Sequence, residues 1–478
     1  MSIPVNPMSA TAKDAGVRNL DDGCMTTKHP LSVAVVLCSC LTVLAGPEDN
    51  PWTMHHIHDD YLIANSLQAG DVNQDGHDDY SVIDERLGLQ TIIFHPGPPE
   101  AGGDVRKQWP RVVLGQTGNP EYSCLGDLDG DGNLDLVVVE GDDLEKGFTT
   151  GVRVWWGPSP DKVTDPAAWI DAGHIPGTGG EQYLYCLVHD LNGDGRPDIL
   201  VGGRRHKTTK KFAGIRWLAG PATGDRRDLA HWQTHFMDPD ALSGHGLVIE
   251  DVNEDGHPDV LVANADWDTP KFDQDVAWYE NPAPGRGDVT QPWKKHAIWK
   301  TASKYYAKPQ VAVGDLDGDG HVDLATQTQN FVEVFKKDMA DPSDYFTKTN
   351  IQKPDWAQWI GRPIKIADLD GDGKAEIIGA LIHLDGLLPK DKASVFMMKQ
   401  IGDPFDKDGW SFHPIKWSDG FNSRAQWIGE KWDHLLFSDV DGDGDLDIVG
   451  NVEEHFTKGA DGQPKSFFSV VWFENPMK

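Results

Sequence analysis

Short apolar runs bounded by Asp-, Gly- and Pro-rich turns follow one another along this chain, and no amphipathic helical period of useful length appears after residue 50. Runs such as Leu134–Val139 and Asp259–Val262 predict strands. The runs recur in phase. One ends at an aspartate, as in Leu247-Val-Ile-Glu-Asp251, and another follows the acidic turn. A third carries aromatic residues, in Val152–Trp156, Ile215–Trp217, Val276–Tyr279 and Val470–Phe473, and two of these run on into Glu280-Asn-Pro282 and Glu474-Asn-Pro476. A fourth begins with Trp and places His three residues on: Trp52/His55, Trp232/His235, Trp293/His296 and Trp410/His413. Four strands per repeat predict an all-β chain of propeller blades, with the Trp and His packed on outer strands.

The turn between the first two strands of each repeat carries one nonapeptide, D-x-[DN]-x-D-G-x-x-[DE], seven times. Successive first aspartates lie 56, 63, 61, 64, 53 and 71 residues apart. The oxygen-bearing positions are Asp71, Asn73, Asp75 and Asp79; Asp127, Asp129, Asp131 and Asp135; Asp190, Asn192, Asp194 and Asp198; Asp251, Asn253, Asp255 and Asp259; Asp315, Asp317, Asp319 and Asp323; Asp368, Asp370, Asp372 and Glu376; and Asp439, Asp441, Asp443 and Asp447. Hard cations take six to eight oxygens, and the glycine at the sixth position permits the sharp turn that gathers them. The pattern therefore predicts structural calcium in several loops. An EF-hand is excluded, because position 12 holds Val82, Val138, Val201, Val262, Thr326, Gly379 and Gly450 where a bidentate Glu is required. Weaker binding is expected in the loops with Asn73, Asn192, Asn253 and Glu376, where ligand charge or reach changes.

This pattern resembles the FG-GAP/VCBS repeat family, which implies a β-propeller with calcium loops between the two innermost strands of each blade. The expected fold is a single seven-bladed propeller over residues 47–478, closed by the strand at Trp52–Ile57 completing the last blade. The family spans adhesion ectodomains, lectin-like modules and polysaccharide lyases, so the resemblance alone assigns no activity.

The formal net charge is −33, and 28 of the 76 acidic residues lie within the seven loops. So acidic a chain is a poor partner for nucleic acid phosphates. Residues 1–46 read as an export signal, with Lys28-His29 ahead of the apolar run Leu31–Ala45 and Met25 as an alternative start. That run is short for a membrane span, so a secreted or periplasmic monomer is expected; Leu37-Cys38-Ser39-Cys40 offers a lipoprotein anchor as a lesser alternative. Cys124 and Cys186 remain after export. Their opposite parity along the inner strands predicts side chains facing opposite ways and two buried free thiols.

Each inner strand can be aligned on its loop aspartate. Two and four residues before it every blade is apolar or small, which predicts a face packed between blades. The odd positions are expected to face the channel. Five before stand Ser66, Tyr122, Tyr185, Gly246, Gln310, Pro363 and His434; seven before, Tyr183, Lys308 and Trp432; and at the mouth, six before, Asn65, Glu121, His245, Arg362 and Asp433. This set has the parts for sugar chemistry. Trp432 or a tyrosine stacks on a pyranose; Arg362 and Lys308 pair with a uronate carboxylate or enolate; Glu121, Asp433, Gln310 and Tyr183 bind hydroxyls. His245, His434, Tyr122 and Tyr185 supply base and acid for β-elimination from a uronate or keto-sugar. His245, His434 and Glu121 alternatively hold one catalytic divalent metal. Ser243-Gly-His-Gly246, with the downstream Glu280-Asn-Pro282, is also similar to the propeller domain of aldos-2-ulose dehydratases, and propeller lyases use His, Tyr and Arg near the axis. A glycan- or protein-binding module without chemistry is the rival expectation.

Overall fold

The second strand of a blade is buried along its whole length, as in Asp79–Asp84 and Asp135–Glu140, so each sheet has two faces to cover, and packing the sheets radially covers both. The structure, a computed structural model, describes residues 52–98, 102–141, 150–206, 209–241, 243–264, 274–282, 287–301, 310–340, 345–359, 361–381, 391–418, 430–453 and 469–477. They form seven four-stranded antiparallel sheets, here blades 1 to 7. The innermost strands are Gln68–Gly70, Pro120–Gly126, Gln182–His189, Ser243–Glu250, Ala312–Gly314, Gly361–Ala367 and Lys431–Ser438. Among the described residues the helices are single 3-10 turns, and no helix is long and apolar enough to cross a membrane.

The ring closes through the N-terminal strand, as the sequence predicts. Thr53–His58 pairs antiparallel with Val470–Glu474, Thr53 opposite Glu474 and His55 opposite Trp472, and so becomes the outer strand of blade 7. The guanidinium of Arg106, from blade 1, reaches back to Glu474 (2.9 Å) and Asp441 (3.1 Å) of blade 7.

The Trp and His of the fourth strands do pack. Indole N–H groups of Trp109, Trp169, Trp232, Trp293 and Trp410 each donate to a backbone carbonyl of the preceding loop, at 2.8 to 3.0 Å. His55 stacks on Trp472 at 4.5 Å and His296 on Trp278 at 4.1 Å, joining fourth strand to third.

Inner strands of adjacent blades pack face to face. A Cβ on Gly126 would stand 2.4 Å from Val188 of blade 3, and one on Gly314 2.5 Å from Ile366 of blade 6. The odd face of one blade thus packs on the even face of the next. This corrects the expectation for the cysteines. Opposite parity on adjacent blades turns Cys124 and Cys186 toward each other; both are buried and free, and burial together with the Cys124 contact pushes the Cys186 thiol well up.

One buried amine stands apart. Lys353, between blades 5 and 6, donates to Gln327 Oε1 (2.8 Å) and the Thr328 carbonyl (2.9 Å), without a carboxylate among these partners. Burial lowers its pKa to about 7. The folded chain sheds this proton before the unfolded chain does, so stability rises with pH from about 7 toward the ordinary lysine pKa. Urea melts at pH 7 and pH 9 should show that rise in the wild type and a smaller one in Lys353→Met; an equal rise in both would contradict the assignment.

Candidate functional site

Two features collect chemistry-bearing groups: the acidic loops on one face of the ring and the axis. The loops share one hydrogen-bond scheme. In all seven, the first aspartate accepts from the N–H of the sixth-position glycine, at 2.7 to 3.1 Å. Those glycines hold φ between 82 and 90°, which favours glycine. The ninth-position carboxylate accepts from the N–H of the second residue at 2.8 to 3.2 Å, and Glu376 does so as the aspartates do. For Asp79, Asp135, Asp259, Asp323 and Asp447 the second oxygen of that carboxylate is tied to the end of the third strand, for example Asp135 to the Gly157 N–H and Asp447 to the Asn475 N–H, both 2.8 Å.

The donor set fits a hard cation. In Asp127/Asp129/Asp135, Asp315/Asp317/Asp323, Asp368/Asp370/Glu376 and Asp439/Asp441/Asp447 one oxygen per residue lies within 4.8 Å of the others. Oxygens about 2.3–2.6 Å from a shared calcium are separated by at most roughly 5 Å. Burial raises the ninth-position carboxylates, Asp79, Asp135, Asp259, Glu376 and Asp447 to about 7 and Asp198 to about 8. A bound cation opposes that shift by favouring the charged form.

The charge difference between loops is offset by the protein. Each loop with aspartate at the third position meets a basic side chain there: Arg227 on Asp129, Lys336 on Asp317, Lys399 on Asp370 and Arg106 on Asp441. Arg227 and Arg106 come from the 3–4 connection of the following blade. The remaining loops carry the neutral Asn73, Asn192 and Asn253 instead. Sequence spacing could not reveal these basic partners, since Arg227 and Arg106 lie 98 and 335 residues from their aspartates.

At the axis, the residues five before the loops converge across the ring. Tyr122 of blade 2 stacks on Tyr185 of blade 3 at 4.1 Å, and His434 of blade 7 stands edge-on to Tyr122 at 4.7 Å. The Tyr122 hydroxyl donates to the Tyr185 hydroxyl (3.1 Å) and accepts from Gln68 Nε2 (2.8 Å). Gln310 donates to the Asp433 carbonyl at 2.9 Å and approaches His434 Nδ1 at 3.5 Å. Ser66 and Ser123 share a hydrogen bond of 2.8 Å. Burial, with Arg362 and Lys365 nearby, holds the His434 pKa well below its usual value, and burial pushes Tyr122 well up and Tyr185 to about 12. The imidazole is neutral and both phenols protonated near neutral pH.

The structure corrects several expectations. The odd positions do meet at the axis, yet Tyr122, Tyr185, Gln310 and His434 are buried and fill it at this level. Trp432 and Tyr183 do not line the channel. Each precedes a β-bulge, between Trp432 and His434 and between Tyr183 and Tyr185, and the extra residue breaks strict alternation. Trp432 is fully buried against Phe473, and Tyr183 donates to Glu181 beside Arg216. Arg362 and Asp433, both fully buried, pair with each other, and Lys431 pairs with Glu453. Glu121 is buried, taking the amides of Asn65 and Asn119, both at 3.5 Å. Lys308 and the side chain of His245 lie outside the described residues. The clusters of three or more metal-ligating side chains found among the described residues are all in the loops.

The FG-GAP-like repeat family matches residues 127–201 and 251–326. No curated protein matches the chain. Among solved structures, an Agrocybe aegerita lectin that recognises non-reducing terminal N-acetylglucosamine is 15% identical, with 86% of this chain and 94% of that one covered at a TM-score of 0.45. BBS1N, solved in complex with ARL6DN, is 11% identical, covering 90% and 99% at a TM-score of 0.45. The chain thus carries FG-GAP-like repeats over residues 127–201 and 251–326, set within a β-propeller of seven four-stranded blades.

Proposed function

We propose that this is an exported, calcium-stabilised propeller that acts on a carbohydrate at its axis as a carbon–oxygen lyase or dehydratase. The observation that carries the reading is the Tyr122–Tyr185–His434 group, drawn from three blades, in which a neutral imidazole stands against protonated phenols. A neutral imidazole beside a phenol is a base–acid pair for abstracting the proton next to a carbonyl while a β-oxygen leaves protonated. Gln68 fixes the Tyr122 hydroxyl by donating its amide to it. Calcium would be held by the oxygens of the seven loops and would supply fold stability rather than chemistry.

A second reading, a glycan- or protein-binding module without chemistry, is favoured by one observation: Arg362 and Asp433 are spent on each other. Residues 47–478, incubated in calcium buffer with a panel of uronate polysaccharides and keto-sugars, should release an unsaturated product absorbing in the ultraviolet. Silence across the panel from folded protein would favour the binding module, with a glycan array to identify the ligand.

A further inference from the structure

The axis is not uniformly filled. Five residues before the loops it is closed by buried side chains, but the last residues of the inner strands, next to the loops, keep solvent-accessible surface. Gln68–Gly70 of blade 1 and Lys365–Ala367 of blade 6 are half-buried, as are Leu187, Val248 and Leu436 at the level of Gln68 and Lys365. An innermost strand has only the axis beyond its free edge, so this exposure marks a blind axial channel open at the loop face. Its floor is the Tyr122–Tyr185–His434 group.

Lys365 sits in the wall of this channel, one step from the floor. Among the described residues its amine makes no hydrogen bond or ion pair, whereas the amines of Lys336, Lys399, Lys416 and Lys431 each hold a carboxylate. At the same level on the other blades stand Gln68, Cys124, Leu187, Val248, Ala312 and Leu436, none of them charged, and its charge is felt by His434. A lysine desolvated by burial, with no carboxylate to hold its charge, is a recognised form of activated amine. It lies on the loop side of the floor, away from the mouth positions six before the loops.

We infer that Lys365 is a nucleophile that forms a Schiff base with an open-chain ketose entering the axis from the loop face. Burial lowers the Lys365 pKa, so its uncharged form is reached at lower pH than for a surface lysine. The amine nitrogen bonds to the carbonyl carbon, the carbon–oxygen bond breaks, and the oxygen leaves as water with the two amine protons, the floor phenols and imidazole relaying them. The resulting imine, once protonated, acidifies the adjacent C–H. His434 can then take that proton while the β-hydroxyl leaves as water, and hydrolysis of the imine returns Lys365. This narrows the proposed lyase to a keto-sugar dehydratase and rests on that reading for its acid–base partners, but its detection does not depend on turnover.

The test is borohydride trapping. Residues 47–478 are incubated with dihydroxyacetone or D-fructose, reduced with sodium borohydride, and mapped by peptide mass spectrometry. Lys365 should carry the reduced adduct at about tenfold or more the occupancy of the exposed Lys107 and Lys294, and Lys365→Arg should remove it. Labelling of Lys365 no greater than that of Lys107 overturns the inference, and because it is read on the wild type it needs no variant to fold. Trapping at Lys365 without turnover upholds the Schiff base and removes the dehydratase. Turnover without trapping overturns the Schiff base and leaves elimination standing.

Discussion

Chelation of calcium from the purified chain is expected to lower its melting temperature by about 10 °C or more, with recovery on adding calcium but not sodium. An ion that binds only the folded ring stabilises it by about 2.7 kcal/mol per site at a hundredfold excess over its dissociation constant. Seven loops with one hydrogen-bond scheme offer up to seven such terms. Without the ion each loop gathers carboxylates that repel, the buried ninth-position group most of all. Basic side chains at Asp129, Asp317, Asp370 and Asp441 relieve part of that repulsion. The loops with Asn73, Asn192 and Asn253 have less charge to relieve, so their affinity need not fall behind. Differential scanning calorimetry with and without chelator reads the effect, and an unchanged melting temperature would mean the loops do not depend on an ion.

The second large effect is expected at the Arg362–Asp433 pair. Both side chains are fully buried, one from blade 6 and one from blade 7. Asp433→Ala leaves a guanidinium buried without its carboxylate and should cost about 3–5 kcal/mol. Arg362→Leu should cost a similar amount by stranding Asp433. The double variant should be less destabilised than the two losses added, since it leaves neither charge behind. Chemical denaturation of the four species closes the cycle. Additive losses would show that the pair is not coupled and that each residue has an independent role at the axis.

Much of this fold was legible in the sequence because its signals are local. The nonapeptide, the Trp at the start of most fourth strands and the aromatic third strand each lie within a few residues, and each recurs. Ring closure was legible because Val470–Phe473 lacked a partner strand and Trp52–Ile57 supplied one. The axis was half legible. Parity brought Tyr122, Tyr185 and His434 together correctly, since no bulge falls between them and their loops. It misplaced Trp432 and Tyr183, which lie beyond a bulge that leaves no sequence mark. Parity also could not say which blade a face meets, and so it separated Cys124 and Cys186, which in fact touch. The pairing of Arg362 with Asp433 and the isolation of Lys365 depend on neighbours in other blades.

The decisive measurement compares product release by the wild type and Tyr122→Phe, residues 47–478, on the best keto-sugar or uronate of the panel. The substitution keeps the ring that stacks on Tyr185 and removes only the hydroxyl that Gln68 holds. Turnover should fall by about 10²–10⁴ with the melting temperature nearly unchanged. Equal rates in the two proteins would place the chemistry, if any, away from the axis and contradict the proposed function.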